Sequence, residues 1–325
     1  MSRREPPDLT ERMLHLRQIP VGALMPPHAL RSIASHTELV RFAAGDTLMR
    51  EGEPIHALCM LTEGSLRLSR GGASVGELSA PQTLGFLGIL ARMDATYDAT
   101  AETDVRAFEL PTDTLLELME EHPELLRATI RYLGERMYYD LQEMPAEALG
   151  LPFQEAPPVP DRPLDIVERV MVLRRGSAFT TASVNALTVM AKQLEELRLE
   201  PGVRLWRRGD PADHMFLVVS GAVTCTAEDG RTFRYGPGTA VGGLEALADK
   251  TRWYEPVTEV HTVGLRGRSD HLMDLFENYF SMAMDFVSSL ARAQIGILAR
   301  RTALGQRPLA VARDVSNLGA VKVGA

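Results

Sequence analysis

The chain repeats itself at a fixed offset of 157 positions, and an internal duplication constrains architecture more tightly than any local pattern. Asp8, Glu11, Arg12, Leu16 and Arg17 recur as Asp165, Glu168, Arg169, Leu173 and Arg174. Without a gap, the same register carries Ala29, Leu30 and Ala34 onto Ala186, Leu187 and Ala191. It carries Gly45, Leu48, Arg50, Gly52 and Pro54 onto Gly202, Leu205, Arg207, Gly209 and Pro211. Further on, Gly64, Gly85, Leu87, Tyr97 and Glu102 meet Gly221, Gly242, Leu244, Tyr254 and Glu259, and Asp113, Leu115, Leu118 and Glu120 meet Asp270, Leu272, Leu275 and Glu277. Chance does not hold one register over about 130 residues.

Both copies read alike locally. An amphipathic segment opens each (Asp8 to Arg17; Asp165 to Arg175), and a second short helix follows (Pro27 to His36; Ala182 to Leu194). From Leu39 to Leu110 and from Leu197 to Leu265, short β-prone runs alternate with glycine-bearing turns, the pattern of a small sandwich or barrel. Apolar residues then step by three or four along a closing helix: Leu126, Ile130, Leu133, Met137 and Leu141 in one copy, Phe286, Leu290, Ala293 and Ile297 in the other. The expected organisation is a tail over residues 1–7, a domain over 8–143, a proline-rich linker over 144–164, a second domain over 165–299 and a flexible basic tail over 300–325. Proline fixes φ and removes an amide donor, so the linker reads as a semi-rigid spacer.

Composition narrows the function classes. The 325 residues carry 35 basic and 43 acidic side chains, a net charge of -8 that repels a phosphate backbone, so nucleic acid is not the expected partner. Cys59 and Cys225 stand far apart, with no disulfide framework and no metal-ligand spacing. No membrane-length apolar run occurs, and Met1-Ser2-Arg3-Arg4-Glu5-Pro6-Pro7 lacks the core of a signal peptide, so a cytoplasmic location without membrane insertion is expected. The eight histidines form no HxH or HExxH spacing, and no nucleophile elbow or phosphate loop appears, so no metal site and no catalysis are expected.

Several motifs carry a resemblance. Leu16-Arg17-Gln18-Ile19-Pro20 opens the first unit; Ala44-Gly45-Asp46-Thr47-Leu48 and Glu200-Pro201-Gly202 form an early turn. Arg50-Glu51-Gly52-Glu53-Pro54 and Arg207-Arg208-Gly209-Asp210-Pro211-Ala212-Asp213 form a second turn, and Leu61-Thr62-Glu63-Gly64 and Val218-Val219-Ser220-Gly221 the strand and glycine after it. With these, each half resembles a cyclic-nucleotide-binding domain of the catabolite-activator and protein-kinase-A-regulatory-subunit superfamily. That resemblance implies an α+β fold: two tandem β-rolls, jelly-roll-like, each flanked by N- and C-terminal helices.

It also implies a phosphate-binding cassette, a short helix whose amides and one arginine hold the cyclic phosphate while a glutamate takes the ribose hydroxyl. A buried anion demands such partners. The cassette falls at Gly85-Phe86-Leu87 and at Gly242-Gly243-Leu244. Neither copy has the glutamate. Phe86 is expected to project bulk into the pocket, and Gly243 leaves a hole that only Glu245, from an adjacent turn, could partly compensate. The arginine position falls at Ala95 in the first copy and Arg252 in the second. Beside Trp253 and Tyr254, Arg252 reads first as a solvated surface arginine and second as the phosphate ligand. Tyr97-Asp98 and Tyr254-Glu255 read as a shared packing aromatic with an exposed acid.

Other features are weighed against plainer ones. Arg174-Arg175-Gly176-Ser177 is similar to an inhibitory kinase-recognition stretch, but it lies in a repeated structural segment. After the closing helix too few residues follow for the winged helix of the catabolite-activator-like transcription factors. Met137, Tyr138, Leu141, Leu290 and Ile297 are candidates for pairing two copies of the chain. The expectation is a non-enzymatic cytoplasmic regulatory or adaptor protein acting through protein partners on two degenerate domains. One rival is a cyclic AMP or cyclic GMP sensor working through the second domain; another is a sensor of an apolar molecule in the first, at Phe86 and Leu87.

Overall fold

The computed structural model describes residues 8–150, 159–175, 178–179 and 181–305. They separate into two compact units, one ending at Thr129 and the other running from Ile130 to Gly305.

In the first unit, helices Leu9–Gln18, Pro20–Ala23 and Pro27–Ser35 precede two antiparallel four-stranded sheets. One orders Glu38–Phe42, Val105–Pro111, Ala57–Glu63 and Thr83–Leu84; the other orders Thr47–Met49, Asp98–Ala101, Ser65–Arg70 and Ala73–Ser79. The strand Ala57–Glu63 shows why its apolar run is continuous. Side chains alternate faces along a strand, so Cys59 and Leu61 enter the cluster shared with Leu66, Ala99 and Ala101 of the other sheet. Leu58 and Met60 point the other way, against the helical residues Leu16, Ile33 and Leu115. Both faces of this strand are therefore covered.

The second unit follows the same plan. One sheet orders Ala240–Val241, His214–Ser220, Thr262–Arg268 and Glu195–Leu199; the other orders Thr232–Tyr235, Val223–Ala227 and Tyr254–Thr258. The strand equivalent to Thr47–Met49 is reduced here to a single bridge, Arg204 to Val257. The duplication is otherwise visible bond by bond. Gly45 N–H donates to Ala101 O and Gly202 N–H to Thr258 O, both at 2.8 Å. Arg12 reaches the Thr37 carbonyl (2.5 Å) as Arg169 reaches that of Leu194 (2.8 Å). Gly64 and Gly221 both stand at positive φ, and a Cβ on either would strike a backbone carbonyl, of Asp104 or His261. Only glycine fits such a turn. The α+β fold of two tandem β-rolls with flanking helices is the observed one.

The helix Pro123–Gln142 enters the second unit at Ile130. Its buried Asp140 accepts from Gln294 (2.6 Å), and the Asp140 carbonyl accepts from Arg301 (3.2 Å) on the closing helix Phe280–Ala303. Arg231 donates to the Gln142 carbonyl (2.7 Å) and to that of Met144. Met137, Tyr138, Leu290 and Ile297 are buried and Leu141 is half-buried inside this unit. Of the five residues read from sequence as a surface for a second copy, four are thus covered by their own chain and Leu141 is partly so. The closing helix also runs past the expected start of the tail: residues 300–303 are helical, and Arg301 is buried against Asp140 and Glu143. Residues 306–325, with the rest of that tail, lie outside the described residues, as do 1–7, most of the proline-rich stretch, and Gly176 and Ser177.

Candidate functional site

The second cassette is built where the strand Ala240–Val241 ends. Gly242 takes positive φ and turns the chain into the helix Gly243–Ala248. Ten residues on, Arg252 returns beside it. Arg252 is no surface residue: it is 1% exposed, among the largest fully buried side chains. Its Nη1 donates to the Gly242 carbonyl (2.8 Å) and its Nη2 to the His214 carbonyl (2.5 Å), and its guanidinium lies 4.0 Å from the centroid of the Trp206 ring. A buried guanidinium needs acceptors and a polarisable face, and the chain supplies both. Only Nε lacks a partner.

The amide at the head of the cassette is engaged as well, since Gly242 N–H donates to the Tyr254 hydroxyl (2.8 Å). Trp206 in turn donates to the Tyr254 carbonyl (3.1 Å) and packs so closely on Gly242 that a Cβ there would collide with it. Glu245, on the same short helix, is 2% exposed, with Oε1 unpartnered. Burial pushes its carboxyl up to about 7, against the pull of Arg252 and Tyr254 toward the charged form. Burial likewise draws the Arg252 pKa down, while Glu245, Tyr254, Asp213 and Asp210 oppose it. Arg252 also borders an open polar cleft of about 650 Å³ with Arg208, Asp229, Arg231 and Trp253.

The first cassette has the same backbone and different contents. Gly85 again takes positive φ before the helix Phe86–Ala91. Gly52 N–H donates to Ala95 O (2.8 Å) as Gly209 N–H does to Arg252 O (2.9 Å), so Ala95 occupies the place of Arg252 without a cation. Ile55 lies over both glycines of the segment, touching the sites of a Cβ on Gly85 and on Gly88. Phe86 does not enter the sandwich interior. It faces the helical side with Leu16, Met25, Ile33 and Leu115, around a cavity of about 30 Å³. That is room for a water or two, and Leu87 is not in its lining. The reason is position: the first helical residue after a left-handed glycine points outward from the roll, where the flanking helices wait.

The recurring acids after the cassettes have a shared task. Asp98 accepts the amide of Glu51 (2.8 Å) and Glu255 that of Arg208 (3.4 Å), each pinning the second turn. Sequence reasoning missed Trp206, His214 and Tyr254 as partners of Arg252. Tyr254 was marked by its recurrence, but Trp206 matches Met49 in the first copy and so carried no repeat signal. Among the described residues no group of three or more His, Cys, Asp or Glu could hold a metal ion, and no helix is long and apolar enough to cross a membrane.

The cyclic nucleotide-binding domain family matches residues 39–122 and 196–279, together more than half of the chain, and this protein belongs to that family as a tandem of two such domains. The cAMP-dependent protein kinase regulatory subunit of Hypocrea atroviridis is 28% identical over 119 residues, which are 37% of this chain and 26% of that protein. The cGMP-dependent protein kinase egl-4 of Caenorhabditis briggsae is 24% identical over 189 residues, 58% of this chain and 20% of that protein. The match thus spans about a quarter or less of each of these relatives. Among solved structures, the regulatory subunit of a cAMP-independent protein kinase A from Trypanosoma brucei is 16% identical, with a TM-score of 0.36, covering 93% of this chain and 98% of that one.

Proposed function

We propose that this protein is a non-enzymatic cytoplasmic regulatory or adaptor protein that acts through protein partners, its two cassettes closed by side chains of its own. The observation that carries this reading is the commitment of Arg252. The guanidinium that would meet a phosphate is spent on two backbone carbonyls and the Trp206 face, and the cassette amide of Gly242 is spent on Tyr254. The buried Glu245 beside them puts a carboxyl group, which repels an anion once ionised, where a phosphate would have to enter. At the first cassette, Ala95 and Phe86 offer a phosphate and a ribose hydroxyl nothing. As they stand, these residues do not fit a cyclic phosphate.

A second reading has one observation in its favour: Arg252, the candidate phosphate ligand, stands ten residues after Gly242 and beside an open cleft. In that case nucleotide would recruit Arg252 away from its carbonyls and shift the population of the closing helix. Affinity capture from native lysate, with and without cyclic AMP and cyclic GMP, separates the two. The adaptor reading expects one partner set whatever nucleotide is added. A partner set that changes with nucleotide overturns it.

A further inference from the structure

We infer that the second unit carries a binding site for an apolar small molecule, on the side of its cassette helix facing away from Arg252. The helix Gly243–Ala248 presents Glu245 to the Arg252 cluster, while Gly243, Leu244 and Leu247 line a separate cavity of about 280 Å³. Met215 and Leu265 form its floor and Phe286 and Leu290 of the closing helix its roof. The described residues around it carry no charge.

The duplication shows that this space is a departure from the common plan. Many of the cavity's walls fall at the 157-position counterparts of those in the first unit, among them Leu173 for Leu16, Met190 for Ile33, Met215 for Leu58 and Leu272 for Leu115. In the first unit the equivalent void is only about 30 Å³. Side-chain volume is lost where Gly243 stands for Phe86 and Leu265 for Phe108. Two changes run the other way, Phe179 for Gly22 and Phe286 for Thr129. Those two rings stack on each other (centroids 5.7 Å apart, 12° between planes) and make a wall without filling the void. A Cβ on Gly243 would meet only Ala240 and Met215, at 3.8 and 3.9 Å, so the backbone there has room for a side chain it does not carry.

Protein interiors are close-packed, and an unfilled void of this size forfeits contacts on every wall. An apolar ligand would restore them. An apolar cavity of about 150 Å³ holds benzene, so this one suits an apolar body of about ten to twelve non-hydrogen atoms, an acyl chain or fused rings. Any polar end would lie at Gly238 to Ala240, where the rim is exposed to half-buried. Because the ligand would touch the cassette helix and the closing helix together, it would set the spacing between them.

The test is calorimetry of the full chain with decanoate and, separately, with 1-naphthol. Saturable one-to-one binding of either is expected, weakened by at least about tenfold in Gly243→Phe and by less in Gly243→Val. Binding of only one probe tells an acyl from a ring ligand. Methyl NMR of the same samples should shift Met190 and Met215 and leave Met60 of the first unit in place. The proposal fails if neither probe binds saturably, if Gly243→Phe binds as the parent does, or if the Met190 and Met215 methyls do not respond. The last readout decides if the variants do not fold. None of these outcomes depends on cyclic nucleotide, so failure here leaves the cassette reading intact, and the reverse.

Discussion

The two cassettes share a backbone and close it by different means. In the first unit Ile55 covers the glycines on one side and Phe86 fills the helical side. In the second, Trp206, Arg252 and Tyr254 cover Gly242, and the helical side is left hollow at Gly243. The conserved part of the duplication is what the chain needs to turn: positive-φ glycines, the paired bonds Gly52 to Ala95 and Gly209 to Arg252, the acid that pins the second turn. The divergent part is what fills space. A β-roll therefore accommodates an aliphatic or a cationic plug, provided that the cation finds acceptors within the chain.

Breaking that comparison should cost most at Arg252. Arg252→Ala removes the cation that opposes the buried Glu245 and strands the Gly242 and His214 carbonyls, a loss of about 3–5 kcal/mol. Both tryptophans, Trp206 and Trp253, lie in the second unit, so fluorescence-detected urea unfolding reads it directly. An unchanged midpoint would show that Arg252 plugs nothing. Next, Phe86→Ala should hollow the first unit as Gly243 hollows the second, at about 3 kcal/mol. Hydrogen exchange of the amides in Ala57–Glu63 would report it, and unaltered protection would mean that Phe86 is not a filler.

A smaller effect belongs to Glu245. Its folded pKa lies above the usual carboxylate value, so the folded state holds the proton more tightly than the unfolded one. The associated stability is fully present below about pH 4.5 and is lost as pH rises through about 7. In Glu245→Gln that slope should flatten when unfolding is measured across this window; an identical slope would place the titration elsewhere. Least of all, Asp98→Ala and Glu255→Ala should each cost about 1 kcal/mol in urea unfolding, the first more than the second because its bond is shorter. The reverse order would mean that the acids do not act through the turn amides.

Much of the fold was legible because the repeat and its glycines are local and periodic. The site was legible only in part, for identifiable reasons. Beside Trp253 and Tyr254 in the sequence, Arg252 looks like a solvated surface arginine. What buries Arg252 is Trp206 and the His214 carbonyl, contacts far off in sequence that no window reveals. Gly243 was visible as a missing glutamate, whereas its larger consequence, the missing volume of a phenylalanine, shows only when both cavities are seen in register. Along the closing helices the apolar stripe is buried or half-buried within its own chain except at Ala293, which is exposed. Asp140, Gln294 and Arg301 look like surface residues but form the buried polar contacts that bind residues 130–150 to the second unit.

The central claim, that the second cassette is occupied by the chain itself, is tested most directly by titrating the full-length protein with cyclic AMP and cyclic GMP in a calorimeter. The account predicts no saturable heat with either up to about 1 mM. Saturable binding in the micromolar range, abolished in Arg252→Ala under conditions where that variant remains folded, would contradict it.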